Sequence, residues 1–478
     1  MLDLFFQDAA CLDLDTGAVR RCDVGVTEGR ISLVREHQGD APLQARYTVS
    51  GSGYWLFPGF LDIHTHLYAH GSTFGLDADR LLTAGVTYTV DMGSAGWVNY
   101  PAFHMCDLAG KRIGHSTFLN LSPVGQPGKG ISEPLNEDVI SQEGMEKVIE
   151  QFPGEITGIK VRISRNIVGE LGLAPLKRAI ELGDHFGLPV CVHTTDPPAS
   201  TGEIAQMLRP GDIYSHIYHG QGRTILREDG TVEPEIRRAQ ERGVLLEVGN
   251  GKKNFDFSVA EQAIGEGVLP NLITSDSTPA TFHKDRSMWD LPFVLSKFLA
   301  LGMSLPQVIR SVTETPAKAM GLEHKLGAIR EGYQADLVLC RLEDRDQELF
   351  DSFGNQRMGH RFLEPCMTVL RGEVVYTAPR RPRTGYNPRL NRRVSSYPIS
   401  LQTPKRAQHI KICCARFGVK RRTAYSRTST GPVMSSRSGA ARHSSASTCT
   451  PDWAARRRAA PNSGWVLSLG SNQATCSI

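Results

Sequence analysis

Between residues 55 and 320 the chain repeats one pattern eight times: a short apolar run, a polar or glycine-containing loop, then a stretch of helical spacing. The runs are "WLFPGFLDIHTH", "GVTYTVDMG", "GHSTFLNLS", "ITGIKVRIS", "LPVCVHTT", "GDIYSHIYH", "GVLLEVGN" and "LITSDS". Short apolar runs separated by helices read as parallel strands with crossover connections. Eight such units close into a (β/α)8 TIM barrel, which places the active site where the strands end at their C-terminal side. The intervening segment "APLKRAIELGDHFG", residues 174–187, has apolar residues at helical spacing and stops at glycine, as a helix does.

On both sides of the barrel the text turns to short alternating segments with Gly and Asp punctuation. Residues 1–54 contain "ARYTVSGSGYW", and residues 325–379 contain "KLGAIREGYQADLVLCRL" and "PCMTVLRGEVVY". The two flanks are expected to pair into one small β-sandwich around the barrel of residues 55–324, giving an α/β chain whose start and end meet. A helical pair, "SLPQVIRSVTETPAKAMGL", precedes the second flank.

The formal net charge of +4 conceals an asymmetry: residues 380–478 hold 19 of the 54 Lys and Arg but only one of the 50 Asp and Glu, Asp452. Residues 1–379 are therefore acidic, which argues against nucleic acid as partner, because phosphate binding needs clustered cations. The tail from Arg380 is basic, rich in Arg and Ser and without lasting periodicity, so it is expected to be disordered. Its composition is also that of a sequence translated out of frame, and an arm for nucleic acid is the alternative. No apolar run has the length of a membrane span, and "MLDLFFQDAACLDLD" carries acid where a signal peptide needs positive charge, so a cytoplasmic location is expected. Ten cysteines without a CxxC pair, Cys413 and Cys414 being adjacent, suggest neither a disulfide framework nor a thiolate zinc site. Oligomeric state is left open between monomer and homo-oligomer.

The first apolar run ends at His64 and His66, one residue apart. On a strand they project to one face and can grip one metal ion, although an isolated His-x-His is as often a solvated turn. More donors follow at later strand ends: Lys160 on the fourth run, His193 on the fifth, His216 on the sixth and Asp276 on the eighth. Singly, each has a blander reading, as a core histidine, a snorkelling lysine or a helix N-cap in "SDSTPA". Together, at the ends of separate barrel strands, they form a candidate metal site.

In their order, "FPGFLDIHTH", "GIKVRIS", "VHTT", "SHIYHG" and "TSDS" resemble the binuclear members of the amidohydrolase superfamily. The longer segments "AGVTYTVDMGSAGW", "FLNLSPVG", "HTTDPPAS", "LRPGDIYSHIYHG" and "DLPFVLSKFLALGMSL" resemble its dihydroorotase-like amidohydrolase/deacetylase group, over residues 1–378. The resemblance implies two divalent ions, zinc foremost, with manganese, cobalt or iron as alternatives. It assigns His64, His66 and Asp276 to a buried ion and His193 and His216 to a more exposed one. Lys160 would bridge both, as the carbamate formed from its amine and CO2. It further implies attack on a carbonyl by a metal-bridging hydroxide, with Asp276 accepting the proton and returning it to the leaving group.

For the substrate, the expectation is an acyl amide or ester of a small carboxylate-bearing compound, as in the deacetylase-like group. A cyclic amide, of the dihydroorotase or hydantoinase kind, is the alternative, weakened because Tyr68 stands where dihydroorotases usually carry an arginine. A catalytically silent scaffold is a further alternative. Arg162, two residues past Lys160, is a candidate for the substrate carboxylate, its bland reading being an outward ion pair. Tyr68, Tyr218 and His219 are candidates for the mouth, or simply for packing. Where the family often continues through Leu-His after the last aspartate, this chain has "STPATFHKDR", with His283 a few residues on.

Overall fold

The computed structural model describes residues 1–39, 43–379 and 401–402. Its strands are β1 Leu2–Leu12, β2 Val19–Thr27, β3 Arg30–Glu36, β4 Ala45–Ser50, β5 Trp55–Pro58, β6 Phe60–Thr65, β7 Val86–Gly96 and β8 Gly114–Asn120. They continue as β9 Ile156–Arg162, β10 Val190–His193, β11 Ile213–Ser215, β12 Leu245–Glu247, β13 Leu337–Phe350, β14 Gln356–Leu370, β15 Glu373–Thr377 and β16 Leu401–Gln402.

Strands β6 to β12 form one parallel sheet in sequence order, as consecutive βα units require. The eighth run, "LITSDS", makes no regular strand. It closes the ring through two isolated parallel bridges, Glu247 with Leu272 and Thr65 with Ser277. Hydrogen bonds from Asn250 N to Thr274 O, from Gly251 N to Ser275 O and from Asp276 N to His64 O reinforce the closure. Its brevity has a side-chain cause: buried Asp62 on β6 takes both Ser275 N and Ser275 Oγ, replacing ladder bonds with side-chain ones. Leu61, Ile63, Val90, Met92, Phe118, Cys191, Ile213 and Leu272 come from six different segments of the ring yet form one cluster. Residues from opposite sides of a ring can meet only inside it, so this cluster is the barrel's filling. The fold is a (β/α)8 TIM barrel with a second, mostly antiparallel sheet.

The helix expected at 174–187 runs Ala174–Phe186, with Pro175 in its first turn and Gly187 as a left-handed cap at φ 66°. The expected helical pair is Leu305–Arg310, opened by a Ser304/Gln307 capping box, and Glu314–Ala319.

Both flanks enter the other sheet, in the order β15-β14-β13-β5-β1-β2-β3 with β4 also on β1. The run read as one strand, "WLFPGFLDIHTH", is therefore two: β5 pairs with β13 of the second flank, and after Gly59 the chain starts the barrel as β6. A bulge at Phe6–Ala9 lets β1 serve β4 with one half and β5 with the other. The sheet curls until the β2–β3 turn meets the β14–β15 turn: Ala335 N donates to Gly29 O, and Gly372 N donates to Ala335 O. Its core draws on Leu4, Phe6, Val24, Val26, Leu56, Leu337, Met367 and Val369, from both flanks. The tail expected to be disordered lies outside the described residues except for β16, whose backbone pairs with β4. Among the described residues no helix is long and apolar enough to cross a membrane.

Candidate active site

At the C-terminal side of the barrel, His64, His66 and Asp276 each present a donor atom, all within 4.8 Å of one another. His66 Nε2 lies 3.3 Å from Asp276 Oδ1, and His64 Nε2 lies 3.9 Å from the same oxygen. The far sides of the rings are held. His64 Nδ1 is 3.2 Å from Glu247 Oε2, His66 Nδ1 is 3.0 Å from Ser94 Oγ, and His216 Nδ1 is 2.8 Å from Gly249 O. A carboxylate and a carbonyl accept only, so His64 and His216 carry their protons on Nδ1 and leave an Nε2 lone pair free.

His216 joins this group from the end of β11, its ring centroid 5.1 Å from that of His64 and 4.3 Å from that of His193. Lys160, on β9, is buried with 1 % of its surface exposed, and its Nζ donates to Cys191 Sγ at 3.4 Å. Strand β7, two places along the sheet from β9, makes room for it with Gly93, where a Cβ would come within 2.7 Å of the lysine stem. His216 and Asp276 adopt φ of 63° and 52°, a left-handed backbone that costs a non-glycine residue about 1–3 kcal/mol and clusters at functional sites. Asp276 starts no helix, so its reading as an N-cap does not apply.

Burial keeps the imidazoles neutral: His216 is pushed down to about 3, and His193 and His64 are lowered in the same way. Burial opposes ionisation of Asp276, but its hydrogen bond with His66 and the surrounding imidazoles outweigh that and hold it well below the usual carboxylate range. Glu247 is likewise opposed by burial and lowered overall by His64. Neutral imidazoles with free Nε2 atoms beside an ionised carboxylate are the protonation states that a divalent cation needs.

The other expected residues divide. Arg162 pairs with Glu133, and its Nε finds no partner among the described residues. Glu133 is raised by burial, against the pull of Arg162. Tyr68 is buried against Phe103, 4.8 Å between centroids. Tyr218 packs on Phe255 and Phe298 and donates its hydroxyl to Val268 O, which is a core role. His219 is buried and pushed down to about 4 by that burial, its Nδ1 accepting from Gln221 N. His283 stacks between Phe282 and Trp289 on a cavity of about 920 Å³ that none of the six candidate ligands lines.

Several contributors escape a reading of motifs. Asn254 and Glu133 lie outside the quoted segments; Ser94 and Glu247 lie within them without being singled out, and Glu247, a lone carboxylate in "GVLLEVGN", is the one that gives a signal. Asn254 Nδ2 donates to Asp276 Oδ2 at 3.0 Å, and Thr195 Oγ1 donates to Asn254 Oδ1 at 3.0 Å.

Residues 55–375 match the amidohydrolase family. A protein of Brucella anthropi named deacetylase is 31% identical over 341 residues, covering 70% of this chain and 83% of its own length. A crystal structure of a dihydroorotase superposes with a TM-score of 0.70 at 27% identity, over 78% of this chain and 99% of that one. A crystal structure of an adenine deaminase superposes with a TM-score of 0.72 at 24% identity, over 79% of this chain and all of that one.

Proposed function

The chain belongs to the amidohydrolase family and is a hydrolytic enzyme, and from that premise we propose that it cleaves an acyl amide or ester bond in a small carboxylate-bearing compound. In this reading His64, His66 and Asp276 would hold one divalent ion and His193 and His216 a second, with Lys160 as a further donor to the pair. The supporting observation is the convergence of His64, His66 and Asp276 donor atoms within 4.8 Å, with the ring nitrogens behind them already engaged. Imidazole and carboxylate donors suit zinc. A buried ammonium would repel cations, so Lys160 would join the set as the carbamate formed with CO2, which turns a cation into an anionic donor. When bound, the ions polarise the scissile carbonyl and bring the pKa of water toward neutrality.

The chain's own residues do the rest. Asp276, kept ionised and fixed at Oδ2 by Asn254, takes the proton released as water adds to the carbonyl carbon. It returns that proton to the nitrogen or oxygen of the departing group as the C–N or C–O bond breaks. Arg162, steadied by Glu133 and with Nε free, binds the substrate carboxylate. Tyr68, which stands where dihydroorotases usually carry an arginine, has its ring packed on Phe103. The name deacetylase borne by the Brucella anthropi relative fits the acyl reading.

The test is a panel of N-acetyl amino acids, acetylated hydroxy acids and cyclic ureides, assayed with enzyme reconstituted with zinc and bicarbonate, alongside elemental analysis. About two ions per chain and turnover of the open-chain acyl compounds are expected. Turnover confined to the cyclic ureides, or no more than one tightly held ion, overturns the reading.

A further inference from the structure

Lys297 is fully buried in the middle of helix Leu291–Ala300, and no carboxylate forms an ion pair with it among the described residues. Its Nζ donates to Asn250 Oδ1 at 2.9 Å and to Ser287 O, and lies 4.7 Å from the centre of the Phe255 ring. A buried lysine is costly without a partner of opposite charge, and burial pushes this one down to about 7 despite Asp351 and Asp285 beyond. Such a residue is retained where its donors do something an apolar side chain cannot.

Those donors tie together two loops at the barrel mouth. Ser287 belongs to the loop that follows Asp276, and Asn250 to the loop that follows β12. Asn250 passes the tie on through its Nδ2, which donates to Gly251 O at 2.9 Å and to Ser287 O at 3.1 Å. Gly251 runs so close to the acid that a Cβ there would be 2.2 Å from Asp276 Oδ2, at a φ of 48° that suits glycine. Three residues on, Asn254 donates to that same oxygen.

We propose that Lys297 is a positioning residue for the reaction: through Asn250 it holds the segment Gly251–Asn254 against Asp276 Oδ2 and so aims the acid at the reacting centre. This rests on the role given above to Asp276. Displacing a catalytic group by an ångström costs up to about 10²-fold in rate, so the effect of losing the tie should fall on kcat. Stability should be spared in Lys297→Met, because a long apolar side chain replaces a buried charge without leaving one unpaired.

The experiment uses the full-length, metal-loaded enzyme as Lys297→Met, Asn250→Ala and the double variant. Each single change should lower kcat by about 10–10²-fold with KM little changed, and in Lys297→Met the melting temperature should hardly move. The double variant should be no worse than the weaker single, since both cut one connection. In metal-free protein, amide exchange at Gly251–Asn254 should quicken in both singles while the flank sheet keeps its protection. Wild-type kcat in either variant, multiplying losses in the double, or unchanged exchange overturns the proposal. Should Lys297→Met fail to fold, Asn250→Ala decides alone. An inactive wild-type enzyme would strike the functional reading instead, and the exchange result would still stand or fall by itself.

Discussion

The flank sheet and the barrel mouth both bury polar groups, and they do so in opposite ways. In the flank, Asp23 is 1 % exposed and every near neighbour answers it: Arg35 at 3.1 Å, His37 Nδ1 at 2.8 Å and the Asp8 backbone N–H at 3.0 Å. At the mouth, the Nε2 atoms of His64 and His66 turn toward one carboxylate oxygen, and Lys160 faces a thiol. The first arrangement is complete within the chain and stabilises the fold. The second is a set of donors directed at a common space, with left-handed backbone at His216 and Asp276 besides. Departures of this kind from local consistency mark where stability has been given up for chemistry.

The sharpest way to break the contrast is Asp276→Asn. Turnover should fall by at least about 10²–10⁴-fold, because an amide cannot take the proton from water. The loss should be smaller on aryl esters, whose phenolate leaves without a proton, than on amides of the same acyl group. Kinetics on both substrate types, with metal content measured in each preparation, check this; equal losses with metals fully retained leave Asp276 a ligand only. Asp23→Ala should do the reverse. It strips Arg35 and His37 of a buried partner and should cost about 1–3 kcal/mol in denaturant unfolding, while kcat stays near wild type. A matching loss of turnover would mean that the two regions are not separable. The smallest effect is expected from ending the chain after Pro379, which removes no candidate ligand and, among the described residues, β16 from the edge of β4. Melting temperature should shift by no more than a lost hydrogen bond or two allows, about 1–2 kcal/mol, and kcat should not move.

Strand periodicity made most of the architecture legible in advance, since seven of the eight apolar runs carry barrel strands. The exceptions share a cause. "LITSDS" closes the ring with side-chain bonds to Asp62, which no local pattern announces. "WLFPGFLDIHTH" divides at Gly59 because its first half answers β13, a strand almost three hundred residues away. The donors at strand ends could be read because each sits at a fixed place in a repeating unit. Their supports could not, since Glu247 reaches His64 across 183 positions and Glu133 reaches Arg162 from an irregular loop. For Tyr218 the sequence leaves two readings open, the mouth or packing, for a similar reason: closeness in sequence to His216 says nothing of which way a ring turns once the strand has ended, and here it turns onto Phe255 and Phe298.

A single residue, Gly59, separates the strand that knits the flanks together from the strand that delivers His64 and His66. No linker stands between them to be lengthened, swapped or recombined. Sheet and barrel are for that reason one heritable unit: a recombination event that brought in a foreign flank would have to restore the pairing of β5 with β13 to the residue, or shift the first two donors out of register. Diversity in this chain's lineage is then expected to accumulate in the loops at the mouth, and the junction at Gly59 to be where grafted or circularly permuted versions fail.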